Sequence, residues 1–198
     1  MTTLALGRKR TLVALAGPPG SGKTSLAERL HERLERNKCS VATVAMDGFH
    51  LDNDTLGQRG LLARKGAPET FDSTGFISLV KALRAGDTDV SVPGFDRQAD
   101  ATIPDKACVE ALTNIVLVEG NYLLLRDKPW RALKPLFDLS IFLDVPMHIL
   151  EARLIQRWID QKMSPDAAKA RALGNDIPNA RAVVERSAPA DIIHANME

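Results

Sequence analysis

Cysteine is scarce in this chain. The two that occur, Cys39 and Cys108, are far apart and form no CxxC pair. Neither a disulfide framework nor a thiolate metal site is therefore written in the sequence, and two free thiols in a cytosolic protein are the expected arrangement. Aromatic residues make up only 5% and the formal net charge is +1. The stacking platforms and basic stripes of nucleic-acid binders are both missing, so nucleic acid is not an expected partner. No apolar run approaches the roughly 20 residues of a membrane span. The run Thr11 to Ala16 is too short for a signal segment and passes straight into Gly17. The chain is expected to be soluble and cytoplasmic, with no membrane partner. It contains no internal repeat and no low-complexity tract.

What is present suits one α/β domain over residues 1–198, with 44% hydrophobic and 26% charged residues. Leu12–Ala16, Val41–Ala45, Ile115–Val118 and Leu139–Leu143 read as buried strands, with a weaker fifth at Asp191–Ile193. They are short and most lack polar alternation, the pattern of a parallel sheet covered on both faces. Helical patterns lie between them. Thr24–Arg36 repeats Leu26, Leu30 and Leu34, and Thr74–Arg84 follows a capping Asp72 or Ser73. Pro129–Leu136 is shorter, Met147–Gln161 is long, and Ser164-Pro165 reads as a cap and first helical turn. The alternation predicts a doubly wound, mainly parallel sheet with helices on both faces, whose ligands bind at the carboxyl ends of the strands. Asp47–Asp72 is long for a connection, and Ser91–Asp105, with Pro93, Gly94 and Pro104, reads as irregular.

Gly17-Pro18-Pro19-Gly20-Ser21-Gly22-Lys23-Thr24 is the most specific signal. It matches G-x-x-x-x-G-K-[ST] between a strand and a helix, the phosphate-binding loop of P-loop NTPases. Glycines let backbone N–H groups converge on a phosphate chain, and the helix start adds its positive dipole end. The phosphate-binding residues expected here are Gly17, Gly20, Ser21, Gly22, Lys23, Thr24 and Ser25. Lys23 reaches the terminal phosphates and Thr24 offers its hydroxyl to Mg²⁺. The loop implies a nucleoside triphosphate without naming the reaction, because kinases, GTPases and motor ATPases share it.

Three apolar runs end in an acid: Asp47, Glu119 and Asp144. In a parallel sheet all three lie on the edge that carries the phosphate loop. Phosphoryl transfer to an alcohol needs one acid for the metal and another for the incoming hydroxyl. Glu119 is assigned to the metal and Asp47 to the base. The alternative for Asp47 is a turn before Gly48. Asp144 is read as the cap of the helix near Met147. His50 is a loop histidine able to hydrogen-bond a substrate.

Met46-Asp47-Gly48-Phe49-His50, Phe71-Asp72, Val92-Pro93-Gly94-Phe95-Asp96 and Val118-Glu119-Gly120 follow the phosphate loop in that order. Together they resemble the phosphoribulokinase/uridine kinase/pantothenate kinase family, nearest to its bacterial fructose-transport-system and uridine-kinase-like branch. The resemblance spans nearly the whole chain. It implies a three-layer P-loop fold with a helical lid at about 161–174, with ATP and Mg²⁺ as cofactors and a small hydroxylated molecule as acceptor. Asp47 takes the place of the catalytic aspartate and Glu119 that of the metal-site glutamate. Phe95 and Asp96 match the segment lining the acceptor pocket. Arg153 and Arg157 match lid arginines near the phosphates, and their four-residue spacing sets them on one helix face. Where uridine kinases carry Tyr-Asp, this chain reads Phe95-Asp96-Arg97, and Phe cannot donate the hydrogen bond of Tyr. That departure speaks against nucleoside recognition, and the resemblance itself slightly favours a sugar-type acceptor over uridine, cytidine or pantothenate. Arg97 either meets the acceptor or pairs with Asp100. Arg64 and Lys65 either reach a negatively charged substrate or belong to an exposed loop, the latter being favoured. Gly174–Asn179 resembles a segment of this branch to which no chemical role attaches, with Asn175 and Asp176 forming a turn before Pro178. A homodimer is compatible with this reading, although no interface is written in the sequence. A GTPase or metallochaperone would need a guanine-reading motif, and Asn37-Lys38-Cys39-Ser40 lacks the final Asp.

Overall fold

The computed structural model describes residues 10–196; residues 1–9 and 197–198, the two ends of the expected domain, lie outside the described residues. The central sheet has five strands: β1 (Thr11–Ala16), β2 (Val41–Ala45), β5 (Ile115–Gly120), β6 (Leu139–Asp144) and β7 (Ile192–Ala195). Their order is β2-β5-β1-β6-β7, and every neighbouring pair is parallel. All six residues of β1 and all six of β5 are buried. Along β1, Leu12, Ala14 and Ala16 pack on one face with Phe76, Val80 and Leu83 of α3 (Ser73–Ala85). Val13 and Leu15 pack on the other with Ala27 and Leu34 of α1 (Lys23–Arg36). Both faces are dry, which is why these strands read as unbroken apolar runs.

The register brings Leu15, Ala45 and Glu119 abreast. The carboxyl ends of β1, β2 and β5 therefore open on one edge, directly before Gly17, at Asp47 and at Glu119. Beyond β6, α4 (Met147–Asp160) joins α5 (Pro165–Arg171), a π-helical turn (Ala172–Asp176) and α6 (Ile177–Arg186). Leu150, Leu154, Ala172, Ile177 and Ala180 form their own apolar cluster above the sheet edge.

Several expectations are corrected. Residues 91–105 are not irregular: β3 (Val90–Asp96) and β4 (Ala101–Val109) form an antiparallel hairpin. Pro93 and Pro104 both sit where the register shifts, between the Val92 and Gly94 pairings, so no ladder bond is lost to either. Residues 47–72 form short ordered pieces instead of a loop. They include a 3₁₀ turn at Met46–Phe49 and α2 (Asn53–Gln58), capped by the Asp52 side chain, and a bridge pairs His50 with Phe71. Asp72 caps α3 by accepting from the Gly75 N–H at 2.9 Å. Pro129–Leu136 is two 3₁₀ turns, because Pro135 has no N–H to continue a helix. Asp144 does not cap α4: Pro146 occupies that position and no side-chain cap bond forms. Asn175 and Asp176 lie in the π-helical turn that runs into α6, with Pro178 tolerated in the first turn of that helix.

Candidate active site

Gly17–Gly22 bends between β1 and α1. Gly22 takes φ 88°, in the left-handed region, and a Cβ built on it would lie 2.7 Å from Asn196 Nδ2. Only glycine fits there. Lys23 opens α1 and curls its ammonium back over the bend, donating to the Pro18 carbonyl at 2.9 Å. Burial pushes its pKa down to about 8; Glu119 and Asp47 draw it upward, while Arg157 and Arg97 add to the depression. A buried cation at a helix N-terminus inside a ring of glycines is a site for a polyanion.

The Thr24 hydroxyl donates to Glu119 Oε1 at 3.2 Å. Glu119 is 7% exposed, and burial pushes its pKa up even though Lys23 and the Thr24 hydroxyl hold it back. This pair fits a hard cation, which takes oxygen ligands and relieves the cost of burying the carboxylate. Among the described residues no cluster of three or more His, Cys, Asp or Glu could hold a metal ion. A magnesium ion retaining water and phosphate ligands does not need one.

Asp47, in the turn after β2, lies 3.4 Å from Arg97 Nη2. Arg97 therefore pairs with Asp47 and not with Asp100, which is held by Lys65 at 2.9 Å. His50 lies between Phe71 and Phe95, with ring centroids 4.1 and 4.8 Å away. Its Nδ1 is buried without a hydrogen-bond partner. Burial above all pushes its pKa down to about 4, so the imidazole is neutral at physiological pH.

Gly20, Gly22, Lys23, Thr24, Ser25, Asp47, His50, Phe95, Arg97, Glu119 and Arg157 line one cleft of roughly 800 Å³. Four of the expected residues lie outside it. Gly17 and the fully buried Ser21 form the body of the bend. Asp96 accepts the N–H groups of Gln98 and Ala99 at 2.8 and 3.0 Å, which turns the hairpin and holds its carboxyl below the usual range. Arg153 donates to the Gly20 carbonyl at 3.1 Å and the Asn196 carbonyl at 3.4 Å, so this guanidinium braces the phosphate loop.

The cleft also contains residues that sequence reasoning missed or misplaced. Asn53, Asn121, Trp158, Arg171, Asp176 and Asn179 line it. Asn121, two residues past Glu119 at the end of β5, could have been found from that position. Lys65 is no exposed loop residue: its side chain is 10% exposed, with the ammonium bonded to Asn53 Oδ1 at 2.7 Å and set 5.4 Å over the Phe95 ring. Arg64 reaches back to Asn175 and Asn179. No helix among the described residues is long and apolar enough to cross a membrane.

The model of the phosphoribulokinase / uridine kinase family matches residues 12–186. The uncharacterized protein YggC of Escherichia coli (strain K12) is 37% identical over 188 residues, covering 94% of this chain and 78% of YggC. A protein of Schizosaccharomyces pombe (strain 972 / ATCC 24843), provisionally named a uridine kinase, is 32% identical over 195 residues, covering 94% of this chain and 83% of that one. A crystal structure from Silicibacter sp. TM1040, provisionally named a fructose transport system kinase, superposes with a TM-score of 0.91 at 49% identity. It covers 95% of this chain and 91% of its own.

Proposed function

The chain belongs to the phosphoribulokinase / uridine kinase family of P-loop kinases, and from that membership we propose that it transfers the γ-phosphate of ATP to a hydroxyl group of a small metabolite, a sugar-type molecule being the favoured acceptor. One observation carries the reading: the phosphate loop, the Thr24–Glu119 pair and the Asp47 carboxylate share a single cleft. Bound there, ATP supplies the phosphoryl group and Mg²⁺ the charge that neutralises its oxygens.

The remaining work falls to side chains. The backbone of the glycine bend and Lys23 hold the phosphates, and Thr24 and Glu119 hold the metal or its water. Asp47 orients the acceptor hydroxyl and takes its proton as the oxygen attacks. Arg97 keeps that carboxylate paired until the hydroxyl replaces it. Arg157 lines the cleft from α4 and holds charge on the transferred group. Arg153 acts through the loop it braces. Catalysis is then positioning plus electrostatics, with the lid excluding water.

The wall made by His50, Phe71 and Phe95 supports the sugar-type reading. It offers apolar ring faces, and it lacks the phenol that Tyr would supply. The structural relative named for fructose transport points the same way. ADP release should be measured with Mg·ATP across fructose, other sugars, glycerate, pantothenate and uridine, with Lys23→Ala as blank. Release stimulated by one acceptor and absent in the blank supports the reading. Release indifferent to every acceptor would overturn transfer to these classes.

A further inference from the structure

The Gly174–Asn179 segment has no place in the chemistry above, yet it contains two of the most deeply buried polar side chains. Asn175 is 2% exposed and Asn179 is 3% exposed. Burying two amides is costly unless their polar atoms are paired. Here they pair across more than 100 residues of sequence. Asn175 Oδ1 accepts from Arg64 Nη1 at 2.9 Å, and Asn179 Oδ1 accepts from Arg64 Nη2 at 3.3 Å. Asn175 Nδ2 in turn donates to the Lys65 carbonyl at 2.9 Å. Arg171 adds donors to the carbonyls of Ala63 (2.7 Å) and Lys65 (3.4 Å).

Arg171, Asn175 and Asn179 are spaced four apart. A regular α-helix drifts by roughly 40° over each such step, so a straight helix would turn the third residue away from the first. The wider π turn at Ala172–Asp176 takes up the drift, and all three face the 61–67 segment. Such turns recur at functional sites.

The segment so gripped carries Lys65 into the cleft. The Lys65 ammonium binds Asn53 Oδ1 at 2.7 Å and the Asp100 carboxylate at 2.9 Å, beside the Phe95 ring. From below, the Tyr122 hydroxyl donates to the Gly66 carbonyl at 2.6 Å. The same polar chain thus runs from the end of α5, the π turn and α6 through the 61–67 segment to the hairpin. None of the bonds in this chain touches the phosphate loop.

We infer that Asn175 and Asn179 are positioning residues for the acceptor half of the cleft: seated on Arg64 and the Lys65 carbonyl, they tie the π turn and α6 to the wall formed by Lys65, Phe95 and Asp100. The acceptor role of that wall rests on the kinase reading; the tie itself does not, and the two are tested separately.

The first arm uses no acceptor. Limited trypsin digestion of the full chain, read by mass spectrometry, reports cleavage after Arg64 and Lys65. Mg·ADP affinity is measured on the same samples. Asn175→Ala should raise cleavage after Lys65 about tenfold, because the local opening that trypsin requires becomes easier, while Mg·ADP affinity stays within about twofold. Asn179→Asp keeps the oxygen that accepts from Arg64 but loses the amide that donates to Asn175 Oδ1 at 3.4 Å, so its cleavage should fall between wild type and Asn179→Ala, which should resemble Asn175→Ala. Arg64→Ala breaks the tie from a partly exposed residue and guards against a variant that fails to fold. Combined with Asn175→Ala, its effects should fall well short of additive. The second arm uses whichever compound stimulates ADP release: its KM should rise about tenfold in Asn175→Ala with the ATP KM nearly unchanged. Unchanged trypsin cleavage, or equal losses of nucleotide and acceptor affinity, would overturn the inference. Normal nucleotide binding and strong cleavage with no responding acceptor would uphold the tie and count against the proposed acceptor classes.

Discussion

Replacing Lys23 by Met should make nucleotide-free protein more stable while abolishing nucleotide binding. The Lys23 pKa falls from 10.5 to about 8, chiefly through burial. At about 1.4 kcal/mol per pKa unit, keeping the ammonium charged costs on the order of 3 kcal/mol at neutral pH. Met fills similar space without that cost. It forfeits the bond to the Pro18 carbonyl and the longer contact with Ser21 Oγ, worth about 1 kcal/mol each or less. The net gain is about 1–2 kcal/mol, or roughly 3–6 °C in Tm for a chain of this size. The pH dependence has a definite sign. Folded Lys23 loses its proton near pH 8, whereas the unfolded chain keeps it to about 10.5. Between these values the unfolded state binds more protons, so wild-type stability from this group rises with pH. The gap between variant and wild type is therefore full below pH 8 and closes as pH approaches 10.5. Thermal unfolding by circular dichroism in phosphate-free buffer, at neutral pH and in steps above pH 8, measures this. Mg·ADP at about 100 times its Kd should add roughly 2.7 kcal/mol to the wild type and nothing to the variant. A variant less stable than wild type at pH 7, or a gap that widens with pH, would refute the reasoning.

Asp47→Asn should retain Mg·ADP affinity and lose about 10²–10⁴ in phosphoryl transfer, measured as acceptor-stimulated ADP release; near-normal turnover would remove Asp47 from the base position. Arg153→Ala and Arg157→Ala should separate despite their spacing. The first, which loosens the Gly20 carbonyl, should mainly raise the KM for ATP, and the second should mainly lower kcat, both read from steady-state kinetics. Gly22→Ala should destabilise by about 1–2 kcal/mol from its left-handed φ alone, and more from the approach to Asn196. Chemical denaturation would show this, with Asn196→Ala recovering only the second part.

What the sequence made legible is what a parallel sheet dictates. An apolar run that ends in an acid, on a strand parallel to the one before the phosphate loop, must deliver that acid to the loop's edge. Asp47 and Glu119 follow from this rule, and the apolar runs match β1, β2, β5 and β6 to within a residue or two. The hairpin was missed because Pro93, Gly94 and Pro104 punctuate it, and a proline reads as a strand breaker unless a bulge excuses it. Arg153 and Arg157 share a helix face, but spacing alone does not say what each meets along the axis: the Gly20 carbonyl under the loop for one, the open cleft for the other. Asp144 failed as a cap because Pro146 holds the cap position. Asn175 and Asn179 lie in a segment whose resemblance to the branch carries no role, and nothing local in the sequence shows that they are buried. Buried amides have no periodicity, and their partners at Arg64 and Lys65 are over 100 residues away.

The two halves of the cleft are built on opposite physical terms. At the nucleotide end, burial works against the charged forms of both Lys23 and Glu119, so the fold carries an electrostatic cost that ligands of opposite charge relieve. Affinity there comes from the protein being under-neutralised, and the Lys23→Met trade between stability and binding is its direct consequence. At the acceptor end the cations of the lining segments are already engaged. Lys65 is bonded to Asn53 and Asp100, Arg171 to backbone carbonyls, and Arg64 to Asn175 and Asn179. What else faces this end of the cleft is the neutral, aromatic wall of His50, Phe71 and Phe95, with Arg97 held by Asp47 at 3.4 Å. An acceptor carrying a carboxylate would have to compete with one of these pairs, whereas a polyol would not. Glycerate and pantothenate are therefore expected to show weaker KM values than uncharged sugars at equal ATP. Replacing Asp100 by Asn, which releases part of the hold on Lys65, should narrow that difference; an anion preference in the wild type, or no change in the variant, would show that the Lys65 pair does not set the charge selectivity.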